Sequence, residues 1–220
     1  YQEFLQLVNG QVEKTVPEPH LVYNGIATAF HGMRKKYEAV DYYTLSLMFD
    51  RRQAVPLTKR AWAFLEDNVE LAIRDFQTAK ELSPDNPDTL IGLASAYAKN
   101  GQRQDATREV DTARPLARAQ AAKVGPMAFA LFHNAATVHG RLAEAVLRDA
   151  RLSNELKTQQ FTESSDKAVE LLREAFEVSK SDPNIARAML TAMQTDEALR
   201  AIRGSRAYQK FTEELLSGTK

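Results

Sequence analysis

Two stretches of this chain carry the same pattern in tandem. They are Leu57–Pro84, LTKRAWAFLEDNVELAIRDFQTAKELSP, and Leu90–Pro115, LIGLASAYAKNGQRQDATREVDTARP. In each, large apolar, small and aromatic residues precede a turn, and small, large apolar and small residues follow it. Ala61, Ala72 and Ala79 are answered by Ala94, Ala106 and Ala113, Phe64 by Tyr97, and Phe76 by Val110. Ala72 to Ala106 spans 34 positions and Phe64 to Tyr97 spans 33. A unit of that length, holding two helices and a turn, cannot bury its own apolar face and must stack on a neighbour. The tandem pattern therefore confines the chain to an α-solenoid, an architecture that offers surfaces to partners.

The pattern extends both ways. Upstream, Tyr23, Ile26, Ala27 and Phe30 fall at helical spacing, and Ala39 and Tyr43 follow a turn around His31-Gly32. Phe30 to Phe64 is 34 positions, and Ala39 to Ala72 is 33. In the unit starting at Pro87, Asn86-Pro87-Asp88 suits a helix start, with proline in the first turn and an acid at the positive dipole end. Asn100-Gly101 suits its end, because glycine enters the left-handed region without strain.

Downstream, Phe129, Phe132, Ala135, Ala136 and Val138 make a first helix, and Ala168, Leu172 and Ala175 mark its partner over Asp166–Lys180. Ala106 to Ala168 is 62 positions, 28 beyond one 34-residue period. The surplus lies in Gly140–Ser165. Its first part, RLAEAVLRDARLSNELK, predicts lengthened helices, and the polar Thr158–Ser165 predicts a mobile connection. The organisation expected is a helix and linker over 1–19, with Asn9-Gly10 as an alternative turn. Repeats follow at about 20–53, 54–86 and 87–120, with an interrupted fourth at 126–180. NIARAMLTAM, TDEALRAIRG and AYQKFTEELL then predict capping helices within 181–220.

Charge narrows the function. Lys+Arg and Asp+Glu both number 29, so no basic surplus exists for binding nucleic acid through its phosphates. Without cysteine there is neither a disulfide nor a thiolate metal site, which fits a reducing compartment such as the cytoplasm. No apolar run reaches the ~20 residues that span a bilayer. The chain starts at Tyr1, as expected of a piece of a longer protein.

Leu90, Leu93, Ala94, Tyr97, Gly101, Ala106, Val110 and Ala113, with Pro84 closing the preceding unit, resemble the tetratricopeptide repeat family. The resemblance covers about His20–Lys180. WAFL…LAIRDFQTAKELSPDNPDTL is also similar to the repeat tails of large bacterial multidomain proteins, some with kinase or protease domains upstream. The family implies a right-handed, all-α solenoid with a C-terminal helical cap and a concave groove lined by first helices. Carried over, the groove positions are Asn24, Thr28 and His31; Lys59, Trp62 and Glu66; Asp88, Ser95 and Lys99; and Phe132, His133 and His139. One subfamily clamps the C-terminal carboxylate of chaperones with Lys and Asn. Here Thr28 and Lys59 stand at the clamp asparagine places, and Asp88 and Gly92 where Lys and Arg are expected, which argues against that clamp.

Other residues admit plainer readings. His133 and His139, six apart, fall on different helix faces, unlike zinc ligands, and are expected as groove or surface imidazoles. Trp62 is either an aromatic anchor or packing between units. Arg34-Lys35-Lys36, Arg51-Arg52 and Lys59-Arg60 read as a solvated face, with contact to an acidic partner as the alternative. Glu66-Asp67 and Glu213-Glu214 cannot converge on one atom, since adjacent helical residues point ~100° apart. With no phosphate loop, serine elbow or HExxH, neither an enzyme nor a cofactor is expected.

The function expected is a scaffold that holds a protein or peptide segment in the groove, using Asn24, Thr28, His31, Lys59, Trp62, Ser95, Lys99, Phe132 and His133. The alternatives are a structural spacer or oligomerisation arm of a larger protein, and a small-ligand sensor. Neither nucleic acid nor membrane is expected as partner.

Overall fold

The computed structural model describes residues 18–217, so the helix expected over Tyr1–Val16 lies outside the described residues. Ten α-helices follow in four antiparallel pairs and a cap. The pairs are α1 (Pro19–Gly32) with α2 (Lys36–Phe49), α3 (Ala54–Phe64) with α4 (Val69–Leu82), α5 (Pro87–Lys99) with α6 (Arg103–Val124), and α7 (Phe129–Arg148) with α8 (Asn154–Ser179). The cap is α9 (Pro183–Thr195), a 3₁₀ helix (Glu197–Ile202) and α10 (Arg206–Ser217). Each pair packs on the next, α4 on α5 and α5 on α7, which makes a right-handed α-solenoid.

Local chemistry sets the helix ends. The Asn68 side chain accepts the Leu71 N–H at 3.0 Å, and Asn86 accepts from Asp88 and Thr89 ahead of Pro87. Ser153 and Asp182 cap α8 and α9 in the same way. Gly101 (φ 79°) turns the chain from α5 to α6. The first turn lies later than His31-Gly32 suggests: α1 runs through Gly32, and Arg34 (φ 59°) takes the left-handed conformation.

The core follows the alanine register. Ala61, Ala72, Ala94, Ala106 and Ala113 are fully buried, and the main cluster runs unbroken from Ala61 to Phe211. The first pair joins it through two small clusters, Ala27/Ala39/Tyr43 and Leu47/Leu57/Ala79.

α6 runs through Pro115 to Val124, and Ala113 and Ala117 on either side of the proline are buried. The proline removes one N–H, and tertiary contacts hold the helix across it. One expectation fails here: Thr158–Ser165 is not a connection. It lies inside α8, where Phe161 packs on the main core and Ser165 is buried. The surplus is absorbed by lengthening α7 and α8 to 20 and 26 residues around a turn at 149–153. The fourth pair is therefore extended, with no interruption in either helix.

Candidate functional site

Ion pairs about one repeat apart join the first helices and the turns that follow them. Lys36 Nζ lies 2.7 Å from Asp67, Lys59 Nζ 2.9 Å from Asp88, and Lys99 Nζ 2.6 Å from Glu66. Arg141 reaches the same Glu66 at 3.4 Å. The hydrogen bond from Lys99 chiefly holds the Glu66 carboxyl below its ordinary range. Asp88 is a second hub: besides Lys59 it accepts the Trp62 indole N–H at 3.0 Å. Beneath these pairs the Thr58 and Thr89 hydroxyls meet at 2.7 Å, buried between α3 and α5.

Trp62 both packs between helices and borders a cleft. Its ring is half-buried and stands edge-on to Phe76 at 5.5 Å, so one side belongs to the core. Its other side borders a cleft of about 360 Å³ with His31, Arg34, Lys36 and Glu66. One basic segment read as a solvated face contributes to this site, since Arg34 and Lys36 line the cleft. Arg60, from another, forms a two-armed pair with Asp75 of α4 at 2.7 and 2.8 Å away from it.

The remaining expected residues divide. Thr28 is exposed, with its hydroxyl bound to the Asn24 carbonyl oxygen at 2.8 Å, and Asn24 is half-buried. Ser95, Phe132 and His133 are buried, so none presents a side chain to the open face. The Ser95 hydroxyl donates to the Ile91 carbonyl oxygen at 2.9 Å within its own helix. Phe132 fills the core. The imidazoles expected in a groove or at the surface are both interior. His133 Nε2 lies 3.1 Å from Asp196, which begins the 3₁₀ helix of the cap, so His133 is an anchor for the cap. That hydrogen bond chiefly holds the Asp196 carboxyl low.

A sequence model described as tetratricopeptide repeat matches residues 51–124. Residues 51–124 belong to the tetratricopeptide repeat family. The match takes in α3 to α6, the two pairs whose alanines align best. No curated protein matches the chain. Among solved structures, "MamA protein" is similar over 91% of this chain and 95% of its own, at 13% identity and a TM-score of 0.51. "MamA 41-end from Desulfovibrio magneticus RS-1" is similar over 92% and 98%, at 15% identity and the same TM-score. At these identities the likeness is one of fold.

The tetratricopeptide repeats and the pairs stacked on them make a scaffold for protein interaction, since such arrays present extended surfaces rather than one reaction centre. Among the described residues no helix is long and apolar enough to cross a membrane, and no group of His, Asp and Glu is set to hold a metal ion. The sequence reading placed Glu66 and Asp88 at groove positions but missed that each is a hub of ion pairs. Their signal was present: Glu66 and Lys99 are opposite charges 33 positions apart, which stacking by one period brings together.

Proposed function

We propose that the first-helix face binds a segment of a partner protein, with the cleft between the first two pairs as its anchor point. The observation that carries this is the convergence of His31, Arg34, Lys36 and Trp62 on one cleft of about 360 Å³. An aromatic surface beside several hydrogen-bond donors suits a peptide, the ring supplying contact area and the polar groups fixing register. Trp62 is held in place by Asp88 and Phe76, so little side-chain freedom is lost on binding. Thr28, Lys59 and Lys99 extend the same face. Ser95, Phe132 and His133, being buried, offer no side chain to the partner. The repeat array acts through binding and carries out no reaction of its own.

The test is capture of partners from the native host by two altered proteins. One carries His31→Glu and Arg34→Glu, both exposed and clear of the core. The other carries Arg74→Ala and Arg108→Ala on second helices. Loss of the captured protein with the first variant alone supports the reading. Loss with the second alone overturns it, and retention by both favours a spacer.

A further inference from the structure

Two clefts open beside α7, and their charges are matched differently. Where α6 and α8 splay apart, the buried His139 floors a cleft of about 860 Å³. There Arg108 and Lys167 each have a carboxylate of their own, Asp105 and Glu163. The other cleft, of about 580 Å³, lies where the end of α5, the start of α6, the C-terminal half of α7 and the turn at 149–153 meet. Its cations have to share.

Asp149 Oδ2 accepts from Arg103 at 3.1 Å and from Arg151 at 2.9 Å, so two guanidinium groups converge on one oxygen. Glu66 serves both Lys99 and Arg141. Glu144 holds Arg148 at 2.7 Å. Arg200 also comes within 3.9 Å of Glu144, but it has Glu197 at 3.5 Å. Lys99, Arg103, Arg141, Arg148 and Arg151 line the cleft, and their only carboxylate partners among the described residues are Glu66, Glu144 and Asp149. Five cations meet three carboxylates, an excess of two positive charges with every ion pair counted. The charges bordering this group cancel: Lys36 with Asp67, Arg200 with Glu197, and Arg203, which donates to the Asp196 carbonyl oxygen, with Asp196. The excess is felt by the carboxylates themselves. Hydrogen bonds from Arg151 first, then the charges of Arg151 and Arg103, hold Asp149 far below its ordinary range, and Glu66 is lowered by Lys99 and Arg141.

We propose that this cleft binds a phosphoryl dianion, with Arg103, Arg141, Arg148 and Arg151 donating to its oxygens. A phosphate monoester carries a charge of about −1.5 to −2 at neutral pH, which matches the excess, whereas one carboxylate would leave half of it unmatched. Guanidinium forks fit phosphate oxygens in pairs of hydrogen bonds, which favours one compact dianion over two separate carboxylates. Arg103 is held in place by the Ala145 carbonyl oxygen at 3.0 Å, so little freedom is lost when it binds. Arg148 and Arg151 are exposed and can turn toward a ligand. Two sources can supply the group, a phosphorylated serine or threonine in a peptide and a free phosphate compound. The site lies beyond Glu66 from the Trp62 cleft and does not rest on the reading of that cleft.

The experiment titrates the whole chain at low salt and about pH 7.5, where phosphate is mostly the dianion. Three probes are used: inorganic phosphate, an end-blocked Ala-phosphoserine-Ala peptide, and an end-blocked Glu-Glu peptide of equal charge. NMR follows the arginine Nε–H signals and the backbone amides of 98–103 and 144–151. Phosphate or the phosphopeptide is expected to move the signals of Arg103, Arg141, Arg148 and Arg151 together, and the Glu-Glu peptide to bind more weakly. Tighter binding of the phosphopeptide identifies a phosphorylated segment as the source, and tighter binding of inorganic phosphate a free compound. Arg148→Gln with Arg151→Gln removes the excess at two exposed positions and is expected to weaken binding about tenfold. Arg74→Gln, an exposed cation on α4, is expected to change nothing. Unmoved signals at high millimolar concentration, equal binding of the Glu-Glu peptide, or equal loss with Arg74→Gln overturns the proposal. No partner protein enters the measurement, so its outcome is separate from capture by the first-helix face.

Discussion

Gly140 in α7 lies so close to the carbonyl oxygen of Ala198 that a methyl group on its Cα would occupy the same space. This contact lets the 3₁₀ helix of the cap settle onto α7, burying Leu199 and Ile202. Gly140→Ala is therefore expected to destabilise the protein by about 1–3 kcal/mol through overpacking. Gly25→Ala is the control. That residue sits within α1 with nothing in reach of an added Cβ, so alanine is expected to stabilise by about 0.5–1 kcal/mol. Thermal unfolding of the two variants decides the matter, and equal melting temperatures would mean that the cap is not packed as described.

Glu109 is buried at 2% exposure, and Lys80 Nζ holds its two oxygens at 2.8 and 2.7 Å. The pair links α4 to α6. Lys80→Met is expected to cost about 1–3 kcal/mol, because the carboxylate stays buried without its partner. Lys80→Met with Glu109→Met together is expected to recover most of that loss. A double-mutant cycle in urea measures the difference, and simple additivity would contradict the coupling.

His139 makes stability fall with acid. Its folded pKa of about 4 lies below the ordinary 6.5. Between those values the unfolded chain binds the proton and the folded protein does not, so stability is complete above about pH 6.5 and is lost progressively toward pH 4. The contribution lost between pH 7 and pH 5 is about 2 kcal/mol. The test compares urea unfolding of the parent and His139→Gln at both pH values. The variant is expected to lose that much less on acidification, and parallel behaviour would show that this imidazole is not the group responsible.

The first pair is expected to open before the rest. Its core is the small cluster around Ala27, Ala39 and Tyr43, and Leu21, Met33, Tyr37 and Met48 remain exposed. Segments with so little buried apolar area open at low free-energy cost. Hydrogen exchange is expected to be fastest among the helical amides of α1 and α2 and slowest in α5 and α7. Slow exchange in α1 matching that of α5 would contradict this ordering.

The alanine spacing determined the helix pairs, because small residues recurring every 33–34 positions mark where two helices can approach closely. Ala94 and Ala106 are fully buried for this reason, and local signals such as Asn86-Pro87 and Gly101 mark the ends of α5. The lengthening of the fourth pair was legible in the helix-forming composition after Gly140. Its turn was misplaced, since the polar letters of Thr158–Ser165 conceal that Phe161 and Ser165 face the core. Only the tertiary structure decided that His133 anchors the cap and that His139 floors a cleft. Burial of those imidazoles depends on which distant elements cover α7, the cap at one place and the splayed α6 and α8 at the other. A helical period fixes which residues share a face, whereas the neighbours that face meets are set by packing across the fold.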